Sequence, residues 1–405
     1  MNSFNIFNSH AATPLKFIPQ NSDGFDYHSP TDFEFSDEKS GLKKLNPLTY
    51  YCPAKKNAIY QVTLNITAQK NVPTLYIFSS RRQLRAVISL KKGESYTQTF
   101  YQSLTSVIPF QSTTCYPLEY LFITLCADDP TVLDFQASFS KVDVPRMFLC
   151  GDSTVADQST TLPFVPSMSY SSWGQTIPAF ISGHVAIDNQ ATSGNTSESF
   201  REEGHYQIVT DNLLPGDYCL FQFGHNDQKL SHLQPDREFQ TNLIRYIHEV
   251  RQAGAQPILV TPFARNTWNL DGEYLNLLQP YDDKMNQIAK KQAVPIIQLH
   301  QYTKKIWQKY GKERSTDFFP KGDFTHANEY GSCLAAAFIA NALSSFFPEI
   351  KKTRQQIPNS EKNAWIHATD RSIKTEKNSD GSQKLHKMEN SVQNLKKIIE
   401  DAKKA

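Results

Sequence analysis

The first 143 residues alternate short apolar runs with turn residues. Val, Ile, Thr, Tyr and Phe recur in runs such as AIYQVTLNITA, TLYIFSS and EYLFITLCA, and Lys-Lys-Gly, Pro-Leu-Glu and Asp-Asp-Pro separate them. Helical periodicity is nearly absent here. Short alternating runs with frequent turns are typical of packed antiparallel sheets. We therefore predict an antiparallel β-sandwich domain over residues 1–143.

The pattern changes within Val142–Pro145. Beyond it, strand-like apolar runs (PRMFLC, HVAID, YCLFQF, PILVTPF and VPIIQL) alternate with amphipathic stretches. One helix is predicted over residues 236–253, where apolar side chains recur on one face at Phe239, Leu243, Ile247 and Val250. A last helix is predicted over Glu329 to Phe346. This alternation predicts an α/β domain over residues 144–350, with a parallel sheet covered by helices on both faces.

The tail, residues 351–405, differs in charge from the rest of the chain. It holds thirteen Lys and Arg against seven Asp and Glu, so it carries +6 and the preceding 350 residues carry −4. The segment NSDGSQK is typical of a linker. Beyond it, apolar residues recur every three or four positions at Met388, Val392, Leu395, Ile399 and Ala402. We predict a basic polar tail with one short amphipathic helix that packs on the protein or lies solvated on its surface, rather than recruiting a partner.

Composition and charge argue against a nucleic-acid-binding or membrane-spanning protein. The chain of 405 residues has a net charge of +2 and a mean hydropathy of −0.50. The balanced charge argues against a nucleic-acid partner, and no run approaches the roughly 18–20 apolar residues that cross a bilayer. The N-terminus lacks the layout of a secretory signal peptide, so we expect a cytoplasmic protein with no membrane partner. The six cysteines form no C-x-x-C pair and predict reduced core thiols; the oligomeric state is left open.

Four strand-to-loop junctions of the α/β region carry unusual polar groups. The first, CGDST, holds Ser153, and the second, NQATSGN, holds Gly194. The third, FGHND, holds Asn226, and the fourth, GDFTH, holds Asp323 and His326. Each motif alone also fits a helix cap, a loop glycine or a side-chain-capped turn. Their order along the chain favours an active site, because functional groups collect at the carboxyl ends of parallel strands.

These blocks resemble the SGNH, or GDSL-type, hydrolases, and among them most the rhamnogalacturonan acetylesterases. The matching text is GDSTV at 151–155, WG at 173–174, NQA with SG at 189–194, SF through EG at 199–204, FGHND at 223–227 and D-x-T-H at 323–326. The resemblance covers about residues 144–346. It implies a flavodoxin-like three-layer α/β/α domain.

The resemblance also implies roles for these residues. Ser153 would be the nucleophile, His326 the general base and Asp323 the carboxylate that orients it. The N–H groups of Ser153 and Gly194 and the side chain of Asn226 would form the oxyanion hole. Neither a metal nor another cofactor is expected.

Three further residues are candidate substrate contacts: Trp173, His225 and Asn195. Trp173, like Trp268, has a ring that could stack on a sugar, although core packing explains either equally well. His225 could instead brace its loop. Asn195 stands where the family usually carries an Arg, which puts recognition of acidic sugars in doubt.

We therefore expect a serine esterase that removes O-acetyl groups from pectin-derived, rhamnogalacturonan-type oligosaccharides through an acyl-enzyme. Its partner would be the acetylated oligosaccharide. A lipase- or thioesterase-like hydrolase of other acyl esters is an alternative, because a fold does not fix a substrate. A carbohydrate-binding protein with a degenerate hydrolase domain is another, although the intact Ser153, Asp323 and His326 argue against it.

Overall fold

The computed structural model describes residues 5–8, 44–160, 162–353 and 381–404. For residues 5–8 and 381–390 it describes the backbone alone. The predictions for residues 9–43 and for 354–380 lie outside the described residues. No helix in the described part of the chain has the length and apolar character needed to cross a membrane.

The N-terminal region is built from strands. They are β1 (Asn5–Asn8), β2 (Asn46–Pro53), β3 (Ala58–Ala68), β4 (Val72–Ser79), β5 (Gln83–Leu90), β6 (Ser95–Leu104), β7 (Ser106–Val107), β8 (Tyr116–Pro117), β9 (Tyr120–Ala127) and β10 (Leu133–Val142). Strands β2, β9, β4 and β5 form one antiparallel sheet, and β1, β10, β3 and β6 lie side by side in another. An N-terminal antiparallel β region is thus confirmed, although the sequence pattern did not predict β2.

Alternation of side chains explains why these strands form two layers. In β3, Val62, Leu64 and Ile66 are buried, whereas Thr63 and Asn65 between them lie on the other face. Successive side chains of a strand point to opposite faces of its sheet. The buried set packs with apolar residues of the second sheet in one hydrophobic cluster. The two sheets therefore enclose a core of their own.

The second region alternates strands and helices. Its strands are β11 (Arg146–Gly151), β12 (Ile181–Ser182), β13 (Ala186–Asn189), β14 (Tyr218–Gln222), β15 (Gln256–Val260), β16 (Ile296–Ile297) and β17 (Lys351–Lys352). Five of them are parallel, in the spatial order β13-β11-β14-β15-β16. When the five parallel strands alone are numbered in chain order, their spatial order is 2-1-3-4-5, which is that of flavodoxin-like folds. The predicted fold class is thus confirmed.

Helices cover both faces of the parallel strands. They are α1 (Trp173–Thr176), α2 (Ser199–Glu202), α3 (His205–Asn212), α4 (Glu238–Gln252), α5 (Gln279–Gln292), α6 (Leu299–Arg314) and α7 (Glu329–Phe346). On β11, Phe148 and Cys150 pack in the cluster that includes α4 and α5, and Met147 and Leu149 pack in the cluster that includes α7. The three-layer prediction is confirmed.

The two regions share one sheet. β6 pairs with β13 at Gln102 and Ile187, which joins the antiparallel and parallel strands into nine continuous strands. The outer face of the other N-terminal sheet also contacts the α/β region, where Tyr76 and Phe78 pack against Phe164. The sequence pattern changes at Val142–Pro145, but strands before and after this stretch belong to the same sheet.

The tail ends in α8 (Gly381–Lys404). This helix begins inside the linker-like NSDGSQK segment, so the part of that segment from Gly381 onward is helical. α8 lies against the 3₁₀ turns at Asp227–Lys229 and Ser231–Leu233. Its side chains at Val392, Leu395, Ile399 and Ala402 are buried. The predicted stripe thus packs on the protein, because one apolar face of a helix must leave water. The side chain of Met388 lies outside the described residues.

Candidate active site

A sharp turn after β11 presents Ser153. Gly151 ends the strand, and a Cβ atom added there would lie 2.6 Å from a Val155 methyl carbon and 2.8 Å from the Gln222 carbonyl oxygen. No side chain fits in that space. The Asp152 carboxylate then accepts from the Thr154 backbone N–H at 2.9 Å and stabilises the turn.

Ser153, His326 and Asp323 form one chain of hydrogen bonds. Ser153 Oγ lies 2.9 Å from His326 Nε2, and His326 Nδ1 lies 2.9 Å from Asp323 Oδ2. The second Asp323 oxygen accepts the backbone N–H groups of Thr325 and His326 at 2.6 and 2.8 Å. The structure thus brings together, across 173 positions of sequence, the three residues that the motifs singled out.

The Asp323 carboxylate is held in its ionised form. Burial raises its pKa, but the hydrogen bonds and charge of His326 and the two backbone N–H groups outweigh burial, so the pKa falls below its usual value. An ionised carboxylate at Nδ1 fixes the ring so that Nε2 faces the serine hydroxyl. This arrangement can activate a hydroxyl for attack on an ester carbonyl.

Asn226 is oriented by contacts on both ends of its amide. Its Nδ2 donates to the Asn195 backbone carbonyl at 2.9 Å, and its Oδ1 accepts from Lys229 Nζ at 2.8 Å. Because these partners distinguish nitrogen from oxygen, they set which way the amide points. One Nδ2 hydrogen is left to donate elsewhere.

Gly194 lies beside the same residues. Its φ of +90° is in the left-handed region that favours glycine. Gln158 joins this loop to the nucleophile, because its side-chain amide donates both to the Ser153 carbonyl and, at 3.4 Å, to Ser193 Oγ. Among the described residues, neither the Ser153 nor the Gly194 N–H donates a hydrogen bond within the chain.

The three candidate substrate contacts are buried, which corrects that prediction. Trp173 is 1% exposed and donates from Nε1 to Gln222, so it packs in the core. Asn195 is also 1% exposed, and its Nδ2 donates to Ser199, which begins α2, and to Glu203, which follows the end of α2. A buried side chain whose amide is already bonded cannot read an acidic sugar.

His225 also lies in the interior rather than at the surface of the site. Its ring nitrogens lie 3.1 Å from Asp152 Oδ2 and 2.8 Å from the Phe263 carbonyl oxygen. This residue therefore braces the loop, which is the alternative left open for it. Trp268 is buried as well and donates from Nε1 to Asn266.

The motifs missed three residues that contact the site. Gln158 contacts the nucleophile, and Tyr170 is 45% exposed with its ring edge-on to His326 at 5.8 Å. The Arg265 guanidinium donates to the His225 carbonyl at 3.0 Å and to Thr325 Oγ1, so it ties two site loops together. None of the three stands in a recognisable motif, and only the fold brings them to the site.

No group of three or more His, Cys, Asp or Glu side chains that could hold a metal ion occurs among the residues with described positions.

Comparison with known proteins matches the same part of the chain. Residues 149–332 match the model of the GDSL-like lipase/acylhydrolase family. A rhamnogalacturonan acetylesterase of Bacillus subtilis (strain 168) is 35% identical over 211 residues, which cover 49% of this chain and 89% of that protein. A probable rhamnogalacturonan acetylesterase of the same organism is 30% identical over 206 residues, 49% of this chain and 92% of that protein.

An uncharacterised esterase of Bacillus subtilis (strain 168), YxiM, is 26% identical over 302 residues, 72% of each chain. The crystal structure of the Bacillus subtilis protein of that name aligns with 74% of this chain and 80% of its own, at 21% identity and a TM-score of 0.47.

Proposed function

Because the chain belongs to the GDSL-like lipase/acylhydrolase family, we propose that it is a carbohydrate acetylesterase that acts on acetylated, rhamnogalacturonan-type oligosaccharides. The observation that carries the proposal is the hydrogen-bonded chain from Ser153 Oγ through His326 to Asp323. The substrate class follows the relatives that are rhamnogalacturonan acetylesterases.

The proposed first half-reaction forms an acetyl-enzyme. Ser153 Oγ attacks the acetyl carbonyl carbon while its proton passes to His326 Nε2, and the Asp323 carboxylate stabilises the resulting imidazolium. The carbonyl oxygen becomes an oxyanion that the Asn226 amide and the N–H groups of Ser153 and Gly194 stabilise. His326 then protonates the sugar oxygen, the ester bond breaks, and the sugar leaves with a free hydroxyl.

The second half-reaction releases acetate. A water molecule takes the place of the sugar, His326 removes its proton, and the hydroxide attacks the acetyl carbonyl carbon of acetyl-Ser153. The bond to Oγ breaks, Oγ regains its proton from His326, and the free enzyme returns. No other reactant is needed.

The groups tied to the nucleophile favour a short acyl group. Gln158, which donates to the Ser153 carbonyl, and Ser193, which Gln158 also contacts, are polar, and a long acyl chain would require apolar surface to leave water favourably. Polar side chains beside the reacting ester suit a sugar with free hydroxyls.

A substrate panel tests the proposal. Acetate release from acetylated rhamnogalacturonan oligosaccharides, acetylated xylo-oligosaccharides and nitrophenyl esters of two, four and eight carbons should be measured beside hydrolysis of acyl thioesters. We expect the highest kcat/KM for the acetylated rhamnogalacturonan fragments and a fall with acyl length. Higher kcat/KM for eight-carbon esters or thioesters would support the lipase- or thioesterase-like alternative. A protein that binds the sugars and hydrolyses no ester would contradict the enzymatic proposal.

A further inference from the structure

The turn between β4 and β5 carries unusually many buried cations. Arg81 and Arg82 lie in this turn, Arg85 follows in β5, and all three side chains are buried. Buried guanidinium groups are costly unless hydrogen bonds and opposite charges compensate them. The contacts that each arginine makes therefore indicate what it does.

Arg82 reaches out of the sandwich into the α/β region. Its Nε donates to the Gln158 carbonyl at 3.0 Å, and its Nη2 donates to the Tyr170 carbonyl and, at 2.9 Å, to Gln175 Oε1. Gln175 in turn donates to the same Gln158 carbonyl at 3.0 Å. One planar guanidinium thus joins two separate segments, as its fork of donors allows.

The first of these segments holds the nucleophile. Gln158 lies five residues after Ser153, and its side-chain amide donates to the Ser153 carbonyl and to Ser193 Oγ. Arg82 fixes the backbone of Gln158, and Gln158 fixes the backbone of Ser153. A shift of the Arg82 guanidinium would therefore move the serine relative to its base.

The second segment, at Tyr170, contacts the base. The Tyr170 ring meets the His326 ring edge-on at 5.8 Å. Burial and the nearby Asp323 carboxylate raise the pKa of the Tyr170 hydroxyl. The next residue, Ser171, donates from its backbone N–H to the Ala327 carbonyl at 2.9 Å. Tyr170 therefore contacts the imidazole and lies close enough to Asp323 to feel its charge.

A nearby charge also holds Arg82 in place, and the backbone conformation of Arg82 indicates that its surroundings determine its position strongly. Its Nη1 lies 3.7 Å from the buried Glu329 carboxylate, which begins α7 three residues after His326. Its φ of +61° lies in the left-handed region, which costs energy for a residue with a side chain. Such a conformation persists where the surroundings determine it strongly.

We infer that Arg82 is a positioning residue for catalysis: it sets the distance and angle between Ser153 and His326 by fixing Gln158 on one side and Tyr170 on the other. The inference rests on the proposed function of that triad. It gives the N-terminal sandwich a part in the reaction, because the sandwich supplies a group that supports both the nucleophile and its base.

Arg85 offers a matched control. It is equally buried in the same hairpin, but its Nε donates to Ser79 at 2.6 Å and its Nη2 to Gln102 at 2.6 Å, both within the sandwich. Arg82→Lys and Arg85→Lys both keep the charge and lose the fork of donors. Only Arg82→Lys removes a contact to the two catalytic segments.

The test compares kcat, KM and the pH profile of kcat for the parent, Arg82→Lys and Arg85→Lys, on the best ester of the panel and per folded molecule. We expect Arg82→Lys to lower kcat about 10- to 100-fold with KM within about threefold, because small misplacements of reacting groups cost rates of this order. Its pH profile should also change, since the surroundings of His326 change. Arg85→Lys should keep the parental kcat and profile. Equal losses in both variants, or parental kinetics in Arg82→Lys, would overturn the inference.

A second variant keeps the inference testable if Arg82→Lys does not fold. Gln158→Met leaves the hairpin intact and removes the amide that holds the Ser153 carbonyl, so it should lower kcat to the same extent. A folded Gln158→Met protein with parental kcat would then overturn the inference. An inactive parent that no serine-directed phosphonate labels would contradict the proposed function itself, whereas an active parent with equivalent arginine variants would contradict only the role of Arg82.

Discussion

The sandwich and the α/β region bury polar side chains in different places. In the α/β region they collect at the carboxyl ends of the parallel strands, where Asp152, His225 and Asp227 are buried. In the sandwich the two sheets enclose apolar residues, and three buried arginines lie in or beside the β4–β5 turn. The buried polar residues of the two regions are in contact. Arg81 donates to the Asn189 carbonyl at 2.7 Å, and Arg82 donates to the Gln158 carbonyl.

This difference indicates that the apolar core and the buried polar groups contribute in different ways. Apolar burial between the sheets contributes stability with little directional preference. Buried polar networks require defined partners, and they specify geometry when every partner is present. We therefore expect substitutions in the sandwich core to change stability, and substitutions of the polar residues that contact the catalytic segments to change the reaction.

The largest effect should come from Ser153. Ser153→Ala removes the nucleophile and should lower kcat by about 10⁴-fold or more, while the free energy of unfolding stays within roughly 0.5 kcal/mol, because one hydroxyl contributes little packing. Ester hydrolysis and chemical denaturation measure the two quantities. Ser159→Ala, at an exposed serine nearby, is the control and should keep the parental rate. Substantial turnover by Ser153→Ala, with phosphonate labelling at Ser193 or Ser199, would contradict the assignment.

The next effect concerns the oxyanion hole. Asn226→Ala should lower kcat by roughly 10²–10³-fold and leave KM nearly unchanged, because the donated hydrogen bond strengthens only in the transition state. Steady-state kinetics on the preferred acetyl ester measure this split. A change in KM alone would instead make Asn226 a contact to the bound substrate.

The sandwich core should respond in stability alone. Leu64→Ala removes a fully buried side chain between the sheets and should lower the free energy of unfolding by about 3 kcal/mol. Chemical denaturation measures this loss, and kcat per folded molecule should match the parent. A tenfold fall in kcat for this variant would contradict the expectation that the apolar core between the sheets affects stability alone.

The smallest effect is a pH dependence of stability at Asp227. Burial raises the pKa of Asp227 to about 6, although its oxygens accept the Ser197 and Gly224 N–H groups at 2.8 and 2.9 Å. The folded protein therefore takes up this proton more readily than the unfolded chain, so this contribution to stability is largest at low pH and is lost as the pH rises through 6. Unfolding measured at pH 5 and pH 8 should show that Asp227→Asn falls further below the parent at pH 5, by about 1 kcal/mol. A difference that is the same at both pH values would contradict the raised pKa.

Local patterns predicted most elements well. The runs AIYQVTLNITA and EYGSCLAAAFIANALSSF form β3 and α7 with the predicted bounds, because strand and helix periodicities are properties of neighbouring residues. Elements without such a pattern, among them β2 and the four-residue α1, were not predicted. The Ser153, Asp323 and His326 motifs were found because their residue types and their order along the chain are themselves distinctive.

The sequence by itself therefore determined the fold class, the alternation of elements and the residues that form the hydrogen-bonded triad. Only the tertiary structure decided which side chains face the site. Trp173 and Asn195 stand in the right motifs and are buried, whereas Tyr170 stands in none and contacts His326. It also decided that Arg82, 71 positions before the nucleophile, supports it. The physical reason is that periodicity arises between near neighbours in the chain, whereas burial and hydrogen-bond partners depend on segments that only folding brings together.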